Sequence, residues 1–218
     1  MKYKLTDVKI NFMGKTLFQI EAVKCFGDIV KGQKGGFIEK ESNLSQGGGN
    51  AWVYGDAKVY GNAWVSGNAE VYGNAWVSGN AKVSGNAEVY GDAKVSGNAE
   101  VYGDAKVSGN AEVYGNAKVS GNAEVYGNAW VYGNAWVSGN AEVYGNADYL
   151  VIGPIGSRND ITTFFKTANN DIKVSCGCFT GTIEEFLEKV NETHGNNNYA
   201  KEYKTAVEIA KIHIFGGE

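Results

Sequence analysis

One six-residue phrase, repeated almost without error from Gly49 to Asp148, decides what this chain can fold into. In register it runs Gly, Asn or Asp, Ala, any residue, Val, then Tyr or Ser. The turn position recurs every six residues from Asn50 to Asn146, 17 times, always with Gly before it and Ala after it. Val holds the fifth position from Val53 to Val143, and Tyr149 ends the pattern. Ala and Val are two apart, so on an extended backbone they share a face, and the two variable positions share the other. Gly followed by Asn or Asp tolerates positive φ and makes a corner. One hexad cannot bury its Ala/Val face alone, but stacked coils can, which is the logic of a solenoid.

Charge order predicts how the coil closes. From Lys82 to Glu124 the residue after Ala alternates strictly between Lys and Glu. With three hexads per coil, vertical neighbours are 18 residues apart, and opposite charges stack: Lys82 by Glu100 by Lys118, Glu88 by Lys106 by Glu124, and Lys94 by Glu112. Two or four hexads would stack like charges, which destabilises adjacent strands. Glu70 by Glu88 and Glu124 by Glu142 break the rule.

Three hexads per coil resembles the left-handed parallel β-helix of hexapeptide-repeat proteins, a triangular prism. The resemblance covers about 100 of the 218 residues. It implies the left hand, which spacing does not show. At ~4.8 Å between strands the prism is roughly 25 Å long, with an Ala/Val core and Asn along its edges.

The fold expected is therefore mainly β: an N-terminal β cap over 1–48, the β-helix over 49–148, and a small α+β domain over 149–218. A cap is physically required, because an open solenoid end exposes unpaired backbone and apolar side chains. Thr16 to Phe26 reads as a strand after a turn at Met13-Gly14-Lys15, and Val30 to Glu39 reads as irregular coil in which Lys31 and Lys34 could meet an anion. Three strands are expected near 148–155, 161–168 and 172–179, with a loop from Gly153 to Asp160. Thr182 with Glu185 forms a capping box for a helix ending near His194-Gly195. A second helix carries Tyr199, Tyr203, Val207, Ala210 and Ile214 on one face.

The formal net charge of −4 gives no bulk attraction for nucleic acid or anionic membrane, so a nucleic-acid partner is not expected. No run of about 18 apolar residues is present, so no membrane span is expected. Three cysteines and no signal peptide make a disulfide framework an unsuitable reading, and the cytoplasm is the expected compartment. No cofactor is expected.

Two groups of residues invite a functional reading. All five tryptophans, Trp52, Trp64, Trp76, Trp130 and Trp136, hold the outward position after Ala. Outward Trp suits a homodimer or homotrimer interface; the alternative is that the rings only cover the prism ends beneath the caps. The second group centres on Arg158, the only arginine beside 19 lysines. A guanidinium offers paired donors to phosphate or carboxylate, which lysine does not. Gly156 admits close backbone approach, and Ser157, Asn159 and Thr162 add hydrogen-bonding groups. Lys173 and Ser175 join them if the strands pair as supposed. The alternative is a structural Arg paired with Asp160 or a helix acid.

Cys176-Gly177-Cys178 would share a strand face near His194, but C-x-C with one His is an incomplete zinc set, and buried free cysteines are usually inert. No metal is expected. Hexapeptide-repeat acyltransferases resemble one another in using a His as general base, and this array contains neither His nor an inserted loop; His194 and His213 lie near the C-terminus. Gly35-Gly36-Phe37-Ile38-Glu39 with Asn43-Leu44-Ser45, and Gly153-Pro154-Ile155-Gly156-Ser157-Arg158 with Ser175-Cys176-Gly177-Cys178-Phe179, resemble the flanks of small phage and prophage hexapeptide-repeat proteins. The function expected is a non-enzymatic oligomeric binding protein whose C-terminal domain holds a small anionic ligand such as a nucleotide, sequestration of a host's nucleotide immune signal being one instance. A purely structural module and an acyltransferase are the alternatives.

Overall fold

The computed structural model describes residues 1–216. The chain opens with a hairpin, β1 (Tyr3–Phe12) and β2 (Lys15–Ala22), followed by β3 (Lys34–Ile38). Sixteen two-residue strands then run from β4 (Trp52–Val53) to β19 (Glu142–Val143). The C-terminal part holds β20 (Tyr149–Ile155), β21 (Asp160–Lys166), β22 (Ile172–Cys176), β23 (Phe179–Thr182), α1 (Ile183–His194) and α2 (Asn198–Phe215).

The hexads form a parallel β-solenoid of about six turns, its longest stack being the six strands β4, β7, β10, β13, β16 and β19. Each strand from β4 to β16 pairs in parallel with one 18 residues on, as in Glu88 with Lys106 and Val89 with Val107. Every Ala from Ala51 to Ala141 and every Val from Val53 to Val143 is 0 % exposed, and full burial stabilises by roughly 1.5–3 kcal/mol per Val. The corners need glycine. Gly97 has φ +69°, and a Cβ there would lie 2.9 Å from the backbone N and O of Gly115. Along one edge, Asn62, Asn80, Asn98, Asn116 and Asn134 pass amide hydrogen bonds from turn to turn. The expected charge neighbours meet: Lys94 with Glu112 at 2.7 Å and Lys82 with Glu100 at 3.4 Å.

Two expectations need correction. Lys34 to Ile38 is a strand rather than irregular coil, because Phe37 and Ile38 pair with Lys58 and Val59 and so satisfy the open solenoid edge. Gly35 and Gly36 permit that approach: a Cβ on Gly36 would lie 2.6 Å from the Ala57 carbonyl. The C-terminal sheet has four strands in the order β20-β21-β22-β23, not three. Gly177, at φ +61°, turns the chain so that Phe179 pairs back with Cys176.

That sheet lies between two cores. Side chains alternate across it, so Tyr149 and Phe165 join the solenoid core, while Phe164, Ile172 and Val174 pack with Phe186, Val190, Tyr203 and Val207 of the helices. Thr182 caps α1 in the expected box with Glu185, and Asn197 caps α2 through the Ala200 N–H. No helix among the described residues is long and apolar enough to cross a membrane.

Candidate functional site

Gly153, Pro154 and Ile155 belong to β20, which leaves Gly156 to Asn159 as the loop. Asn159 donates its N–H to the Gly156 carbonyl at 3.1 Å and takes φ +50°. Gly156 is buried, and Ser157, Arg158 and Asn159 are exposed. The loop is anchored from α2: the Gly156 N–H donates to the Glu202 carboxylate at 2.7 Å. A Cβ on Gly156 would lie 1.9 Å from the Tyr203 hydroxyl oxygen, so only glycine lets the phenol close over the loop.

The Arg158 guanidinium lies over the Gly177 turn, with Nη1 2.9 Å from where a Gly177 Cβ would stand. No carboxylate lies within ion-pair distance of it among the described residues. The expected alternative partner, Asp160, turns its carboxylate to the Ile161 N–H at 2.8 Å. Thr162 is buried and donates to the Cys176 Sγ at 3.3 Å. Burial, together with the neighbouring Cys176 thiol, pushes the Tyr203 phenol up to about 12, while the Arg158 charge pulls it back. His194 stacks on Tyr203 with ring centroids 5.9 Å apart. Arg158, Thr162, Cys176, Gly177 and Tyr203 thus form one cluster on the helix side of the sheet.

Lys173 and Ser175 do not join it. Thr162 pairs with Cys176 and Thr163 with Ser175, so by alternation Ser175 and Lys173 face the solenoid. Ser175 Oγ lies 3.5 Å from Ser138 Oγ, and Lys173 Nζ reaches the Gly139 corner. Cys178 is exposed in the turn beyond β22, so it does not share a strand face with Cys176. No group of three or more His, Cys, Asp and Glu side chains able to hold a metal occurs among the described residues.

The five tryptophans have separate fates. Trp52 is an outward side chain but is 0 % exposed, packed edge-on to Tyr3 and Phe26 of the N-terminal segment, so it is no interface residue on this surface. Its indole N–H is buried without a hydrogen-bond partner among the described residues. Trp76 is half-buried, stacked on Tyr60 and met edge-on by Phe12 of β1. Trp136 is half-buried at the other end and donates its indole N–H to Ser120 Oγ at 3.2 Å. Trp64 and Trp130 are the most exposed of the five, at 45 % and 47 %.

Sequence reasoning missed Glu202 and the closure of Tyr203 on the loop. A pair separated by 46 residues, Gly156 and Glu202, leaves no local pattern. It also placed His213 simply on a terminal helix, whereas His213 Nε2 comes within 3.3 Å of the Asn146 carbonyl at the last solenoid corner. No match to the chain was found among curated proteins. A family model described as the YdcK beta solenoid repeat matches residues 117–133 and 123–139, so the chain is similar to that repeat across the distal solenoid.

Proposed function

We propose that this chain is a non-enzymatic, self-associating binding protein of phage type. In it a left-handed prism of three hexads per coil, over 49–148 and capped by 1–48, carries a unit over 149–218 that binds a small anionic ligand. The 18-residue pairing supports three hexads per coil, and the hand follows from the hexapeptide-repeat resemblance. The observation that carries the ligand is Arg158: an exposed guanidinium on a pinned loop, over a glycine turn, with no carboxylate of its own among the described residues. Loops on rigid scaffolds are where binding residues concentrate. A nucleotide phosphate matches the paired donors, and sequestration of a nucleotide signal would need no catalytic group.

Self-association rests on Trp64, exposed on the solenoid wall away from the C-terminal sheet. Sedimentation of the wild type against Trp64→Ala tests it, and a monomeric wild type rejects it. Calorimetric titration with inorganic phosphate, adenosine triphosphate and cyclic dinucleotides tests the ligand. Affinity unchanged in Arg158→Ala rejects the site.

One observation favours acyl transfer as a second reading. His213 supplies, at the solenoid end, the imidazole that the array lacks, and a general base there would need a near-neutral pKa. Thiol release from acetyl-coenzyme A in the presence of amino sugars, lost in His213→Ala, would support it.

A further inference from the structure

Trp130 stands between two grooves. On one side lies a groove of ≈ 560 Å³ walled by Trp130, Lys94 and Glu112 and by the corner residues Asp92, Asn110, Asn128 and Asn146. On the other lies a groove of ≈ 760 Å³ that Trp130 shares with Tyr114, Tyr132, Tyr149 and His213. The indole is 47 % exposed, and its backbone is fixed from both sides. Its N–H donates to Asn146 Oδ1 at 2.8 Å, and its carbonyl accepts from the Tyr149 hydroxyl. Tyr114 and Tyr132 stack beside it with centroids 5.4 Å apart. The pinned backbone presents the indole and the Tyr114–Tyr132 stack as one flat apolar surface, with less backbone left to order on binding.

The polar wall carries unpaired groups beside the indole. The edge through Asn62 and Asn134 is continuous in amide hydrogen bonds, whereas from Asp92 on this edge is interrupted at Asp92–Asn110 and at Asn128–Asn146, as Asp104 interrupts the third edge. Asp92 accepts from Asn74 yet has no donor to pass on to Asn110. Asn110 donates to Asn128 at 3.1 Å, and the Asn146 oxygen is already taken by the Trp130 N–H. A carboxylate oxygen of Asp92, the Asn110 carbonyl and the amide groups of Asn128 and Asn146 therefore face the groove without side-chain partners among the described residues. Lys94 and Glu112 neutralise one another at 2.7 Å, so the groove keeps the single negative charge of Asp92. It offers alternating donors and acceptors beside an aromatic face and repels phosphate.

We propose that Trp130 and the Asp92–Asn110–Asn128–Asn146 edge form a binding site for a neutral oligosaccharide. The C–H face of a pyranose packs on the electron-rich indole face, and its hydroxyls, each both donor and acceptor, take up the unpaired amide and carboxylate groups. Three coil steps of ~4.8 Å make the edge roughly 14 Å long, the reach of several sugar units. The site is independent of Arg158, which serves an anion on the helix side of the C-terminal sheet.

The full chain is titrated by calorimetry and tryptophan fluorescence with cellohexaose, maltohexaose and chitohexaose. At least one should bind at millimolar concentration or below. Trp130→Ala should weaken it by roughly tenfold or more, Trp130→Phe by less, and Trp64→Ala and Arg158→Ala not at all. Asp92→Asn supplies the missing amide to Asn110; it should weaken saccharide binding while leaving the melting temperature unchanged or raised, which separates loss of the site from loss of fold. Failure of all three saccharides to bind overturns the proposal, as does affinity that survives Trp130→Ala. It is equally overturned if adenosine monophosphate binds at Trp130 in place of the sugars, or if Trp130→Ala merely dissociates an oligomer that has no saccharide affinity.

Discussion

The hydroxyl of Tyr203 sits against Gly156 so closely that a methyl carbon there would lie 1.9 Å from the phenol oxygen. Gly156 also has φ +72°. Gly156→Ala therefore meets both a backbone penalty and an overpacked contact, and it should cost about 2–4 kcal/mol. Denaturant titration measures this. Because Phe186 and His194 pack on the same phenol, the loss should appear first as lowered amide protection in α1 and α2, with the solenoid strands unaffected.

Arg158 separates a binding role from a structural one. Its guanidinium has no acidic partner in the fold among the described residues, so Arg158→Ala should leave the melting temperature within experimental error. Affinity for a phosphate-bearing ligand should fall by roughly 2–3 kcal/mol, the worth of a charge-assisted hydrogen bond. Arg158→Lys keeps the charge but loses the paired donors, and should fall between the two. Calorimetry measures the affinities; early unfolding of both variants would make Arg158 a structural residue.

The solenoid was legible because its signals are local. A period of six with Ala and Val two apart fixes which side chains are buried, and alternating Lys and Glu anticipates neighbours 18 residues apart, as in Glu100 beside Lys118. The candidate site was only half legible. Arg158, Gly156 and Thr162 lie on one side of the C-terminal sheet, but whether Lys173 and Ser175 join them depends on cross-strand register. The pairing of Thr162 with Cys176 sends Ser175 to the other face. Trp52 shows the same limit. Its outward position was readable, but its burial comes from Tyr3 and Phe26, which approach from distant sequence. The fourth strand was missed because Phe179 to Thr182 pairs back on Ile172 to Cys176 through a tight Gly177 turn, so the two strands read as one run followed by a helix cap.

The buried phenols make stability fall in alkali. Burial first, and then the charge and hydrogen bond of Glu70, push Tyr54 up to about 12, and Tyr203 is raised to about 12 as well. Both exceed the ordinary value of 10.0 that an unfolded chain would show. The folded state then binds more protons than the unfolded state between these values, so stability is full below pH 10 and is lost as pH rises toward 12. Thermal unfolding followed over that window should show a steep fall in melting temperature for the wild type. Tyr203→Phe should make the fall shallower and remove one late step from the phenolate absorbance titration. An equal slope in both proteins would contradict the assignment.

The acidic stack offers a test of the ladder itself. Glu142 lies beside Glu124, whose nearest cation is Lys106 at 3.8 Å, so two like charges adjoin at the C-terminal end of this sheet. Tyr126 feels the same crowding: after burial, Glu142 and Glu124 are the largest causes of its raised pKa. Glu142→Lys would continue the alternation Lys106, Glu124, Lys at the 18-residue spacing. Opposite charges directly across a strand pair contribute roughly 0.2–1 kcal/mol relative to a neutral pair, and exposed pairs fall at the low end of that range. Glu142→Lys should therefore raise stability in denaturant titration by a few tenths to about 1 kcal/mol at low salt. The gain should shrink as ionic strength increases, because both side chains are reached by solvent. Glu142→Gln relieves the repulsion without adding attraction and should give an intermediate gain. If Glu142→Lys were instead destabilising at low salt, vertical charge pairing would not be what orders the outward positions of this solenoid.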